Sequence, residues 1–204
     1  MTLKKIIEEK NGVYFITFTC HKWLNLFSLT SSYDLVYKWF DVLISKRHQI
    51  AGYVIMPNHL HVIIALKNSN QTINTIVSNG KRFMAYEIVK RLEMQKANEI
   101  LPELTKDVTL REQKKGQLHK VFEPSFDVKV CRSYDFITQK LEYIHNNPCS
   151  KKWMLAKEPV EYRYSSAKFY AEYNEHNGSI ITTYKELFID LNAGSRTEDP
   201  AEKQ

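Results

Sequence analysis

The chain predicts an α+β fold, an antiparallel sheet with helices packed against it. Two observations carry that prediction. Apolar residues switch between a two-residue and a 3.6-residue period in the order strand, helix, strand, strand, helix, strand, helix. Hydrophobic residues fill 43% of 204 positions, enough to build a core without disulfides. The three cysteines, Cys20, Cys131 and Cys149, are scattered and form no CxxC pair, which argues against a disulfide framework and a structural zinc site. A reducing cytoplasm is the simplest setting for them.

Val13 to Cys20 (VYFITFTC) is β-branched and aromatic and predicts the first strand. Ser31 and Ser32 offer N-caps for a helix over Tyr33–Arg47, with Leu35, Val36, Trp39, Val42 and Leu43 at helical spacing. Ile50–Met56 and His59–Leu66 are strands separated by Pro57–Asn58, a hairpin. Thr72 to Met94 is helical, its buried face made by Ile73, Ile76, Val77, Met84 and Ile88. The polar stretch from about 94 to 120 suggests an insertion, a loop or a basic surface, with a solvated charged face as the default. Phe126–Cys131 is a fourth strand, and Ser133 caps a helix that stops at Asn147 because Pro148 follows. A last amphipathic piece spans Thr183–Leu191, and residues 193–204 have the composition of a disordered tail. The order β-α-β-β-α-β followed by a helical segment fits a ferredoxin-like sheet with helices on one face. Many functions use that arrangement, so function has to come from a site.

A net charge of +6 favours a polyanionic partner, most simply nucleic acid, although a merely basic protein would carry the same balance. The charged N-terminus has no apolar core of a secretory signal, and no stretch approaches the length of a membrane span. No GxxxxGK[ST] phosphate loop is present.

Two groups of residues carry candidate chemistry. In GYVIMPNHLHVIIAL, strand alternation puts His59 and His61 on one face and Leu60 on the other. Two imidazoles so placed can share a metal ion, or can be two polar rings that find other partners in an apolar strand. In SYDFITQKLEYIHNNP, the stripe Tyr134, Ile137, Leu141 and Ile144 faces a core, and Tyr143 lies nearly opposite it. Asn147, at i+4, shares the Tyr143 face with Phe136 and Lys140, whereas His145 points away and is structural. A phenol able to attack phosphate and an amide oxygen able to bind a hard metal would then meet at the last helical turn. A surface tyrosine beside a C-terminal asparagine has the same pattern.

These stretches together resemble the HUH single-strand transposases with one catalytic tyrosine, and among them the REP-associated tyrosine transposases. GYVIMPNHLHVII, VFEPSFDVKV with YDFITQKLEYIHNNP, and EYRYSSAKFY carry the resemblance and span most of residues 10–170. It implies that His59 and His61 bind a divalent metal, Mg or Mn, that Tyr143 is the nucleophile, and that Asn147 is the third ligand. It also implies a homodimer acting on single-stranded DNA with hairpin structure, cleaving and rejoining strands through a 5′-phosphotyrosine. Residues 1–192 would form one catalytic domain, with the stretch at about 94–120 longer than the family's usual pattern. Lys81, Arg82, Lys114, Lys115, Lys151 and Lys152 are candidates for phosphate contacts. A non-catalytic nucleic-acid-binding domain of transposase origin, a water-using metallophosphoesterase and a structural domain with an incidental HxH are the alternatives.

Overall fold

A computed structural model describes residues 10–172 and 180–187. The expected disordered tail, the first nine residues and the end of the Thr183–Leu191 piece lie outside the described residues.

Four strands, β1 (Gly12–Thr19), β2 (Gln49–Ile55), β3 (His59–Leu66) and β4 (Asp127–Val130), form one sheet in the order β2-β3-β1-β4. Every neighbouring pair is antiparallel. The helices are α1 (Leu26–Leu29), α2 (Tyr33–Ser45), α3 (Ile73–Met94), α4 (Ile100–Lys106), α5 (Leu110–Gln113), α6 (Tyr134–Asn146) and α7 (Ala167–Ala171). Among the described residues no helix is long and apolar enough to cross a membrane.

Alternation along the strands divides the core in two. Tyr14, Ile16, Phe18, Leu60, Val62 and Ile64 face α2 and α3, which share one side of the sheet as the ferredoxin-like order requires. Phe15, Ala51, Val54, Ile63 and Ala65 face the other side, where α6 lies with Ile137, Leu141 and Ile144. Burying each of these α6 side chains contributes about 1.5–3 kcal/mol, so α6 is held by its stripe. Its first expected member, Tyr134, is instead 43% exposed at the N-terminal end of the helix. In α2 the expected core residue Val42 is half exposed, and Phe40 is buried beside Trp39 in its place.

The hydroxyl of Ser133 caps α6, accepting from the Phe136 N–H. Ser32 precedes α2 without a capping bond of its own; it accepts from Thr30 instead. Arg91 on α3 makes a two-pronged bond to Asp34 on α2, at 2.8 and 2.7 Å, which holds the Asp34 carboxyl below its ordinary range.

The 94–120 stretch does keep Lys106, Arg111, Lys114 and Lys115 exposed, but it is ordered and anchored rather than a plain loop. It folds into α4 and α5, buries Leu104 and Val108, and returns through Val121 and Phe122 to the main core. Its apolar residues are too few and too widely spaced to show a period, which is why the composition hides the packing.

Two glycines mark close approaches. A Cβ on Gly52 in β2 would collide with Leu141 of α6, and one on Gly80 in α3 would come within 2.6 Å of the Trp39 indole. Gly80→Ala is therefore expected to lower stability by about 1–3 kcal/mol in denaturant unfolding, although alanine at an open helix position would add about 1 kcal/mol. A stabilised variant would show that α2 and α3 are not this close. Gly52→Ala should cost a similar amount and displace α6.

Candidate active site

β3 carries His59 and His61 on the α6 side of the sheet, with Leu60 in the opposite core. Both imidazoles are buried, at 4% and 5% exposure, and their ring centroids are 4.8 Å apart. Buried polar rings need partners, and each finds one through Nδ1. His59 Nδ1 lies 2.7 Å from Asn58 Oδ1. The Asn58 amide is oriented by its other end, where Nδ2 donates to the Trp23 carbonyl at 2.9 Å. His59 must therefore donate from Nδ1 and keep its lone pair on Nε2. His61 Nδ1 lies 2.6 Å from Thr17 Oγ1, and its Nε2 is 3.3 Å from Asn147 Nδ2. An amide N–H there requires a lone pair on Nε2, so His61 adopts the same tautomer.

Register supplies Thr17. The β1–β3 pairing places Thr17 directly opposite His61 and Thr19 opposite His59. Phe15, one step along the same face of β1, stacks on His61 at 5.7 Å.

Burial holds both imidazoles in the neutral form. It pushes His59 down to about 4, helped by the charge of Lys152. It pushes His61 down to about 3, helped by His59 and Lys140. Neutral imidazoles with Nε2 lone pairs, oriented through Nδ1, are the form in which histidine binds metals.

The α6 face opposite its apolar stripe brings Tyr143 to this strand. The Tyr143 ring is 52% exposed, and its centroid is 5.2 Å from that of His61. Lys140, one turn earlier, holds its ammonium over the rings of Phe136 and Phe15 at 5.0 and 5.4 Å and 5.9 Å from that of Tyr143. Asn147 caps the C-terminus of α6, so the helix end aims its carboxamide at His61. His145 faces the other way, as its position on the helix predicts. Its Nε2 is 2.8 Å from Ser166 Oγ, and burial lowers it to about 4.

His59, His61, Tyr143 and Asn147 all line one open cleft of about 990 Å³. Of the six basic residues singled out from sequence, Lys152 lines this cleft. Lys81 instead donates to the backbone carbonyls of Glu123 and Ser125. Arg82, Lys114, Lys115 and Lys151 are exposed away from the cleft walls. Cleft residues that escaped the sequence reading include Phe15, Thr17, Trp23 and Trp153, and so did Asn58, which orients His59 without lining the cleft. Only knowledge of the β1–β3 register could have singled out Thr17.

Among the described residues no group of three or more His, Cys, Asp or Glu is placed to hold an ion. The candidate donor set is two imidazoles and one carboxamide. It fits a divalent ion that tolerates mixed nitrogen and oxygen ligands, with the Asn147 amide turned to present Oδ1.

No family model matches the chain, and no curated protein matches it. Solved structures do. The chain has the fold of a REP-associated tyrosine transposase bound to a REP hairpin, with a TM-score of 0.60, 15% identity and coverage of 90% of this chain and 96% of that one. A candidate transposase from Deinococcus radiodurans R1 is more distant, with a TM-score of 0.41, 16% identity and coverage of 71% and 97%.

The burial of the two imidazoles sets a pH dependence. Their folded values lie below that of a free histidine, so the stability they contribute is complete above about pH 6.5. It declines as the pH falls toward about 4, because the unfolded chain takes up protons first. In chelator-treated protein, ring-carbon NMR shifts of His59 and His61 should remain those of neutral imidazole at pH 6. Midpoints near 6.5 would show that water reaches both rings.

Proposed function

We propose that this chain is a transposase-like enzyme that cleaves and rejoins single-stranded DNA, with Tyr143 as nucleophile. What supports the reading most is the convergence of Tyr143, His59, His61 and Asn147, from two separate segments, on one cleft in a fold shared with a tyrosine transposase. Residues 1–192 would act as one catalytic domain and work as a homodimer. The transposase of that fold is bound to a REP hairpin, and strands flanked by hairpins are the substrate proposed here.

In the proposed reaction the Tyr143 phenol oxygen attacks the scissile phosphorus. The phosphorus–3′-oxygen bond breaks, the phenol loses its proton, and the departing oxygen gains one. The products are a 5′-phosphotyrosine and a free 3′-hydroxyl. A second strand's 3′-hydroxyl attacking the phosphotyrosine reverses the step and joins new DNA, so the bond energy is conserved without a nucleotide cofactor. A divalent ion, Mg or Mn, held by His59, His61 and the Asn147 carboxamide oxygen, would supply Lewis-acid polarisation of the phosphate. The oriented Asn58 carboxamide fixes the His59 tautomer, and the Thr17 hydroxyl holds the His61 ring through Nδ1. Lys140 and Lys152 place positive charge on either side of the cleft. The half-exposed Tyr143 ring leaves the phenol open to an incoming strand.

Incubating the chain with a 3′-labelled single-stranded hairpin library and Mg²⁺ or Mn²⁺ should give a protein-linked labelled band on denaturing gels. Tyr143→Phe should abolish that band, and so should the His59→Ala/His61→Ala pair. Metal-dependent cutting with no linked band would identify a water-using phosphoesterase instead. Binding without cutting in either metal would identify a non-catalytic DNA-binding domain. Thr17→Val, which leaves His61 Nδ1 without its partner, should weaken Mn²⁺ affinity about 10- to 100-fold in calorimetric titration.

A further inference from the structure

At the end of the cleft beyond His59 stands an aromatic pair that the chemistry above does not use. Trp23 is 57% exposed, and its ring centroid is 6.0 Å from that of His59. The half-buried Trp153 is also close, its centroid 5.6 Å from that of His59. The Lys152 ammonium lies between the two indoles, 4.9 Å from the Trp23 centroid and 5.5 Å from that of Trp153.

The chain holds Trp23 there deliberately. Lys22 and Trp23 both take left-handed backbone angles, φ 50° and 59°, which side chains other than glycine seldom adopt. Three sets of bonds stabilise that turn. His21 is bonded to Asp107 and Glu123, Lys22 pairs with Asp107 at 2.7 Å, and the Lys22 N–H donates to Glu123 at 2.9 Å. The Trp23 carbonyl accepts from Asn58, the residue that also orients His59. The 94–123 excursion thus anchors the turn that presents Trp23.

We infer that Trp23 and Trp153 form a stacking subsite for one nucleobase of a single strand, with Lys152 meeting a phosphate of that nucleotide. An exposed indole and a half-buried one beside an exposed cation are a pattern that takes unpaired bases without sequence preference. Resting on the proposed cleavage, the geometry also gives a polarity. Along the cleft the rings run Tyr143, His61, His59, then the two indoles. In an in-line displacement the entering and leaving oxygens lie on opposite sides of phosphorus. With Tyr143 entering from one end, the 3′-oxygen departs toward the indoles. The stacked base is therefore that of the nucleotide immediately 5′ of the broken bond.

The test uses the full chain carrying Tyr143→Phe, titrated with a 20-nucleotide oligothymidine and with an abasic strand of equal length. The third tryptophan, Trp39, is buried at 4% exposure, so a change in indole emission reports the pair. Oligothymidine should quench emission and bind about tenfold more tightly than the abasic strand. Adding Trp23→Leu and Trp153→Leu should remove both the quenching and that preference, while circular dichroism and affinity for the abasic strand stay unchanged. Equal affinity for the two strands, or a preference that survives in the double variant, would overturn the subsite. Polarity is read with Tyr143 intact, on a strand the chain cuts. A single abasic nucleotide 5′ of the cut should slow single-turnover cleavage about tenfold, and should do so no longer in the double variant. A penalty confined to the 3′ side would overturn the polarity. Quenching without any cutting would overturn the nuclease reading and the polarity with it, and leave the stacking subsite standing.

Discussion

The approach of α6 to the sheet at Gly52 is the contact from which the candidate site takes its shape. Leu141 fills the space where any larger residue in β2 would put a Cβ, and Ile137 and Ile144 extend the same seam. Because a helix is rigid over one turn, seating this stripe fixes the opposite face as well. Tyr143 and Asn147 are thereby held over β3, one open to solvent and one against His61. The antiparallel β1–β3 pairing supplies the other wall, since the register that sets Thr17 opposite His61 also brings Phe15 beneath its ring.

Burial then decides the electrostatic state of the cleft. Water is kept from the two imidazoles by β1, α6 and the indoles, so both stay neutral well below the usual histidine range. Each commits Nδ1 to a neighbour and keeps Nε2 as an acceptor. Lys129, Lys140 and Lys152 line the cleft together with the carboxylates Asp127 and Glu142, and the Lys140 and Lys152 ammonium groups lie over aromatic faces. A cleft of neutral bases with three lysines against two carboxylates can take a phosphate, and under the proposed function it would receive one together with a divalent ion.

The 94–123 excursion shows how a polar stretch acquires a structural task. Leu104 and Val108 supply just enough apolar area to dock it, and its carboxylates do the remaining work at His21 and Lys22. What it holds in place is the strained turn that projects Trp23 into the cleft.

The sequence by itself determined the four strands, the three long helices and most of the facing of their side chains, though not the short helices α1, α4, α5 and α7. Strand alternation put His59 and His61 together, and helical periodicity set Tyr143 and Asn147 off the apolar stripe of α6, because both periods are local properties of the backbone. The resemblance to tyrosine transposases linked the two groups, and the shared fold agrees with it. Tertiary structure alone decided that α6 lies on the histidine side of the sheet, away from α2 and α3. It also decided that Thr17 and Asn58 orient the imidazoles, and that Lys152 reaches the cleft whereas Lys81 is spent on backbone carbonyls. Strand register and helix docking arise from contacts between residues tens of positions apart, and no periodicity in the chain encodes which distant partner a side chain will meet.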